Sequence, residues 1–176
     1  MRLFIGRPVK VYSEGLAGAV RAGEHLFIRF SLGIPIPFTG IRVGRGREPR
    51  RGDVVLYRPP KGSGAPELLL GIVAALPEEK VYLHEGRVQI DGKYVEGAGI
   101  LSEPRFKGNG DAGKFAASRT KEFSAVPVEH FFVLSNGSDG APDSRALGWI
   151  ARDRIVGTAT RVWWPMSATR PLGLRQ

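Results

Sequence analysis

Val126-Pro-Val-Glu-His-Phe-Phe-Val-Leu-Ser-Asn-Gly-Ser-Asp-Gly-Ala-Pro-Asp-Ser-Arg-Ala-Leu-Gly148, followed shortly by Asp153-Arg-Ile-Val-Gly157, is the stretch whose reading decides the fold. Glu129 to Leu134 packs aromatic and β-branched residues into strand length. Ser135 to Pro142 is crowded with Gly, Asn, Asp and Ser, the residues that turn a chain. Asp143-Ser-Arg145 then precedes a last apolar run, Ile155-Val-Gly-Thr-Ala-Thr-Arg-Val-Trp-Trp-Pro165.

Working outward, Asp53-Val-Val-Leu-Tyr57 reads as a strand that Pro59-Pro60 ends, and Glu67 to Ala75 as a strand buried on both faces. Val81-Tyr-Leu, Arg87-Val-Gln-Ile and Lys93-Tyr-Val sit around Glu85-Gly86 and Asp91-Gly92, both tight-turn pairs, and predict a meander of short antiparallel strands. Upstream, short strands are expected around Leu3-Ile5, Val9-Tyr12 and His25-Phe30, with Gly33 to Gly40 as a proline-stiffened extended loop. Residues 97–125, centred on Gly108-Asn-Gly-Asp-Ala-Gly113, read as a surface insertion or mobile loop within a single domain spanning 1–176. There is no internal repeat.

Composition agrees with a turn-rich β protein: 176 residues suffice for one core, and 24 Gly and 13 Pro disfavour long helices. A formal charge of +9 favours anionic partners. The absence of Cys excludes disulfides, thiolate-ligated zinc and thiol catalysis, and His25, His84 and His130 lie in no metal-ligand spacing, so no metal or cofactor is expected. No apolar run reaches the length of a membrane span, and Met1 to Arg7 is too short for a signal peptide, which makes a soluble, cytoplasmic chain the default expectation.

The quoted stretch resembles the C-terminal box of type I signal peptidases and their conjugative-transfer relatives, in which a His-Tyr-Phe-Val strand runs into Gly-Asp-Asn-Arg-x-Asn-Ser-x-Asp-Ser-Arg and an Ile-Val-Gly-Lys strand closes the domain. Other boxes follow in family order. Arg51-Gly-Asp-Val-Val-Leu-Tyr57 is similar to the Arg-Gly-Asp-Val-Val strand, Val73-Ala-Ala-Leu-Pro77 to the Arg-Val-x-x-Leu-Pro segment, and Ala22-Gly-Glu24 to a Pro-Gly-Asp. The resemblance spans about residues 9 to 165 and implies a mostly β, signal-peptidase/LexA-like antiparallel sheet domain with long loops and little helix.

The family is a serine endopeptidase family with a Ser/Lys dyad, and here the sequence departs from it. The run matching Ser-x-Ser-Met-x-Pro-Thr-Leu is Ser13 to Val20, which places Gly15 at the nucleophile. Counting back from Leu76-Pro77 places Gly71 at the general-base lysine, and Ala141 stands where a serine orients that lysine. A serine attacks a peptide carbonyl only when a positioned base takes its proton, and such groups act as one unit. The resemblance therefore implies a pseudo-peptidase. Ser13 is retained where the family's oxyanion-hole hydroxyl lies, and Asp143, Ser144 and Arg145 are retained as a structural brace.

Three function classes follow. The first is an inactive protein that holds an extended peptide of a secreted, membrane or pilin-like protein along edges that include Leu16, Leu69, Leu70 and Ile72, as the family binds substrate between strands. A membrane-associated partner, and a position on the outer face of the cytoplasmic membrane, would follow from the family. Its variant is an active signal peptidase that uses Ser13 as an unrecognised nucleophile. The second is a nucleic-acid or anionic-surface binder using Arg42, Arg45, Arg47, Arg50 and Arg51. That run reads more readily as a solvated loop, since no aromatic residues interleave it for stacking. The third is an assembly subunit anchored by Trp149, Trp163 and Trp164, two of which could instead pack in the core.

Overall fold

A computed structural model of the chain describes residues 6–10, 16, 20–30, 34–35, 42–43, 47–97, 99–104, 106, 115–116, 124–135 and 142–172. In chain order the strands are β1 (Gly6–Lys10), β2 (His25–Phe30), β3 (Ile34–Pro35), β4 (Arg42–Val43), β5 (Val54–Tyr57), β6 (Leu69–Ala75), β7 (Val81–His84), β8 (Arg87–Ile90), β9 (Lys93–Tyr94), β10 (His130–Leu134), β11 (Ile150–Ala151), β12 (Ile155–Trp164) and β13 (Arg170–Pro171). One helical turn, α1 (Ser144–Leu147), follows the acidic cap Asp143. The main sheet is antiparallel in the order β1-β2-β12-β5-β6-β10-β11, with β13 added to the end of β12.

Period-two alternation sorts the central strands onto two faces. Val54 and Leu56 of β5, Ile72 and Ala74 of β6, and Leu26 and Ile28 of β2 join the larger core. Val55 and Tyr57, Leu69 and Val73, Phe131 and Val133 form a smaller core on the opposite face with Ile150 and Ile155. The apolar run Glu67 to Ala75 thus produces a strand packed on both sides, as its composition predicts.

The meander β7-β8-β9 forms a second, three-stranded sheet. Its first hairpin turns at Glu85-Gly86 (φ 50° and 77°) and its second at Asp91-Gly92 (φ 50° and 82°), the doubly left-handed pattern that a two-residue hairpin loop needs. Of the insertion read at 97–125, the described residues Leu101, Phe106 and Ala116 are buried in the larger core. Backbone bonds join Phe106 N–H to Gly86 O (2.9 Å) and Leu83 N–H to Ala116 O (2.8 Å).

Three expectations need correction or lie out of reach. Part of the stretch taken as an extended loop, Ile34–Pro35, is a strand paired with Arg42–Val43 inside the arginine-rich segment. Trp163 and Trp164 are 41% and 47% exposed rather than core residues, whereas Trp149 is half-buried against Phe115 and Phe132. The strand expected at Leu3-Ile5 lies outside the described residues.

Candidate functional site

The position expected to carry a general base, Gly71, lies near the start of β6, opposite Val55 of β5. Its face is that of Leu69 and Val73, the smaller core. A Cβ added to Gly71 would overlap Cγ1 of Val133 and would stand 3.2 Å from Leu134 O and 3.3 Å from Cε1 of Tyr57. The glycine therefore marks a place where a β10 side chain has closed onto the β6 backbone. It offers no amine, and as packed it offers no room for one.

Val133 is held in that position by the Asp143-Ser144-Arg145 turn. Ser144 Oγ accepts the Val133 N–H (2.9 Å). Asp143, 2% exposed as a residue, accepts the Ser135 N–H through Oδ2 (2.9 Å) and the Arg145 N–H through Oδ1 (2.9 Å). The Arg145 guanidinium closes on the same carboxylate, with Nη2 at 2.8 Å, and reaches Ser135 O at 3.4 Å. The Asp143-Ser144-Arg145 turn thus clamps the end of β10, satisfying a buried carboxylate with backbone and guanidinium donors while fixing the residue that fills the space above Gly71.

Tyr57 is the other wall. Its side chain is fully buried and its hydroxyl has no hydrogen-bond partner among the described residues. Burial, with the nearby charge of Asp143, pushes the phenol well above the ordinary tyrosine range. At neutral pH it is protonated.

The ladder between β6 and β10 runs Ala75–Phe132, Val73–Val133 and Ile72–Leu134, with a bulge, and stops there. Among the described residues Leu69, Leu70 and Gly71 therefore pair on one side only, with Tyr57, Leu56 and Val55. The side chains offered by the expected edge are turned elsewhere: Leu69 and Ile72 are buried in the two cores and Leu70 is half-buried against the larger one. Leu16 is fully buried in the larger core at φ 82°, a conformation that a side-chain-bearing residue holds only when packing over-determines it. Ser13, Gly15 and Ala141 lie outside the described residues.

Of the proposed anion patch, the described Arg47 and Arg51 side chains have acidic neighbours. Arg51 pairs with Glu79, whose other oxygen accepts the Leu76 N–H at 2.8 Å. Arg47 stands 3.8 Å from Asp53, which also accepts the Arg50 N–H at 2.9 Å. Arg42 belongs to β4, and Arg45 lies outside the described residues. Among the described residues no three His, Asp or Glu side chains gather closely enough to hold a metal ion, and no helix is long and apolar enough to cross a membrane. Sequence reasoning missed Tyr57 and Val133 as the walls of the site. The signal was available only as their alternation onto the face of Gly71, which needs the strand register to read.

Against known proteins, the profile of the family described as signal peptidase, peptidase S26, matches residues 1–164. Signal peptidase I of Pseudomonas fluorescens is 27% identical over 194 aligned positions, covering 94% of this chain and 68% of that protein. Signal peptidase I T of Bacillus subtilis is 29% identical over 174 positions, covering 97% and 80%. A crystal structure of a signal peptidase I from Enterococcus faecalis superposes with a TM-score of 0.47 at 19% identity, over 65% of this chain and 98% of that one.

Proposed function

The chain belongs to the signal peptidase family, peptidase S26, and from that premise we propose that it holds an extended peptide of a secreted, membrane or pilin-like protein without cleaving it. The observation that carries this reading is position 71, where a glycine lies under Val133 and Tyr57 with no space for a base, next to a strand edge that among the described residues is paired on one side only.

The chemistry runs as follows. Acyl transfer by a serine requires an amine or imidazole poised to take the hydroxyl proton. With Gly71 at the lysine position, Gly15 at the nucleophile and Ala141 at the residue that orients the lysine, hydroxyl and amine are both absent. Tyr57, the polar group that borders Gly71, is held protonated by its burial and cannot replace the amine.

Binding needs none of these groups. A peptide laid along Leu69–Gly71 would gain main-chain hydrogen bonds from that edge, which is recognition by strand addition. The test is to titrate peptides bearing small residues into the labelled protein while following backbone amides. Saturable shifts along Leu69 to Ile72 are expected, and silence at those amides with binding elsewhere or none would remove the reading.

A further inference from the structure

Alternation divides the three-stranded sheet β7-β8-β9 into two faces. Val81, Leu83, Val88 and Ile90 pack into the larger core. Tyr82 and His84 of β7, Arg87 and Gln89 of β8, and Tyr94 of β9 therefore share the other face. The register sets two rows on it: Tyr82 is opposite Gln89 and Gln89 is opposite Tyr94, while His84 is opposite Arg87. At a strand spacing of about 4.8 Å, the Tyr82 and Tyr94 backbones stand about 10 Å apart with Gln89 between them.

We infer that this face binds single-stranded nucleic acid, stacking a base on Tyr94 and reading the base's polar edge with the Gln89 amide. Two observations carry the inference. The first is a set of flat groups fixed in place. The Arg87 guanidinium lies over the Tyr94 ring, 4.3 Å from its centroid, and Nδ1 of His84 is 3.1 Å from the Tyr94 hydroxyl. Held on one face and at its tip, Tyr94 is still 36% exposed. The ring of His84, also exposed, lies 6.2 Å from that of Tyr82 with 25° between their planes. Tyrosine and histidine rings and arginine planes are the groups on which unpaired bases stack, and stacking accepts any base.

The second is an amide without a partner in the middle of that set. Gln89 is 9% exposed, and no hydrogen bond joins its side chain to another described residue. A polar group so enclosed and left unpaired costs free energy, and a ligand that presents a complementary edge removes the cost. A glutamine amide holds a donor and an acceptor side by side, the pattern that pairs bidentately with the edge of a base.

Cations are interleaved with the rings here, as they are not in the Arg42 to Arg51 run. Arg87 lies on the face, and the exposed Lys80 stands two residues before Tyr82. Glu85 and Asp91 sit in the hairpin turns and Glu96 beyond β9, and Asp91 accepts the Lys80 N–H at 3.1 Å. The strand's phosphates are met by Lys80 and Arg87 and by the field of a chain with a formal charge of +9. Because β7-β8-β9 is a sheet separate from the one that contains Leu69–Gly71, the site is independent of the peptide edge.

The test uses the full chain and short fluorescein-labelled RNA homopolymers of A, C and U, read by anisotropy at low salt. Saturable binding is expected, and weaker binding of a duplex of the same length, whose bases are not free to stack. Tyr94→Ala is expected to weaken single-strand binding about tenfold, as loss of one stacked base does, whereas Tyr94→Phe keeps the ring and the affinity. Gln89→Leu, similar in shape but without the amide, should level the differences among the three homopolymers. Each variant should keep the wild-type fold by amide spectrum. No saturable binding of any homopolymer would overturn the site. Equal binding of strand and duplex, or equal affinity of wild type and Tyr94→Ala, would overturn it too by assigning the binding to charge alone, and unchanged homopolymer preferences in Gln89→Leu would remove the base-edge contact.

Discussion

Replacing Gly71 with alanine is the smallest perturbation that probes the closed base position. The new methyl group would overlap Cγ1 of Val133 and approach Leu134 O to 3.2 Å and Tyr57 Cε1 to 3.3 Å, a backbone oxygen and a ring that is fully buried. Forcing a methyl into such a packed site costs about 1–3 kcal/mol, while removing a glycine from the unfolded chain returns about 0.4–1 kcal/mol. The net expectation is a loss of about 1–2 kcal/mol, which for a chain of this size lowers the melting midpoint by about 2–8 °C. The decisive assay is a double-mutant cycle by urea denaturation with Val133→Ala, which removes the clashing methyl. Because the two residues share one space, the double variant should be more stable than the sum of the single changes predicts, by about 1 kcal/mol or more. A Gly71→Ala protein as stable as wild type, or a coupling below about 0.5 kcal/mol, would refute the packing argument. The same geometry predicts that Gly71→Lys alone does not recreate a general base.

Other outcomes follow from the same contacts. Thr158→Val should raise the unfolding free energy by about 1 kcal/mol, since it removes a buried hydroxyl without a partner among the described residues; a loss of stability would mean that the hydroxyl is bonded. Asp143→Ala should cost about 3–5 kcal/mol by stranding the Arg145 guanidinium and the Ser135 N–H, whereas Arg51→Ala, at a partly exposed pair, should cost no more than about 1 kcal/mol; equal losses in denaturant titrations would contradict the clamp. The Arg170 guanidinium hydrogen-bonded to Glu24 holds that carboxyl below its ordinary range despite burial. Its stabilising share is therefore present at neutral pH and is lost as pH falls below about 4.5 and through the folded-state value. Glu24→Gln should flatten that part of the acid-unfolding profile, and an unchanged profile would exclude the pair as its source.

Much of the fold is legible locally. Val54–Tyr57 and Leu69–Ala75 declare themselves by β-forming runs bounded by Pro and Gly, and Glu85-Gly86 and Asp91-Gly92 by the left-handed conformation that their hairpins demand. The Asp143-Ser-Arg145 turn was legible as a motif, because its spacing is short and its residue types are specific. The closure above Gly71 was not, since Val133 and Tyr57 meet it only through strand pairings between segments remote in sequence. The same holds for Thr158 and Arg29, which become neighbours through the β2–β12 pairing. The burial of Leu101, Phe106 and Ala116 was hidden by the Gly- and Lys-rich composition around them, which carries no period to show which residues face inward. Trp163 and Trp164 end a strand whose apolar composition suggests burial, yet lie exposed at its end, next to the β13 connection.

The most direct measurement of the central claim is incubation of the purified chain with a signal-peptide-bearing precursor, followed by mass spectrometry of the products alongside a Ser13→Ala variant. The account predicts intact precursor with both proteins, and saturable perturbation of the Leu69 to Ile72 amides by the uncleaved peptide. A defined cleavage product from the wild-type chain that disappears with Ser13→Ala would contradict it.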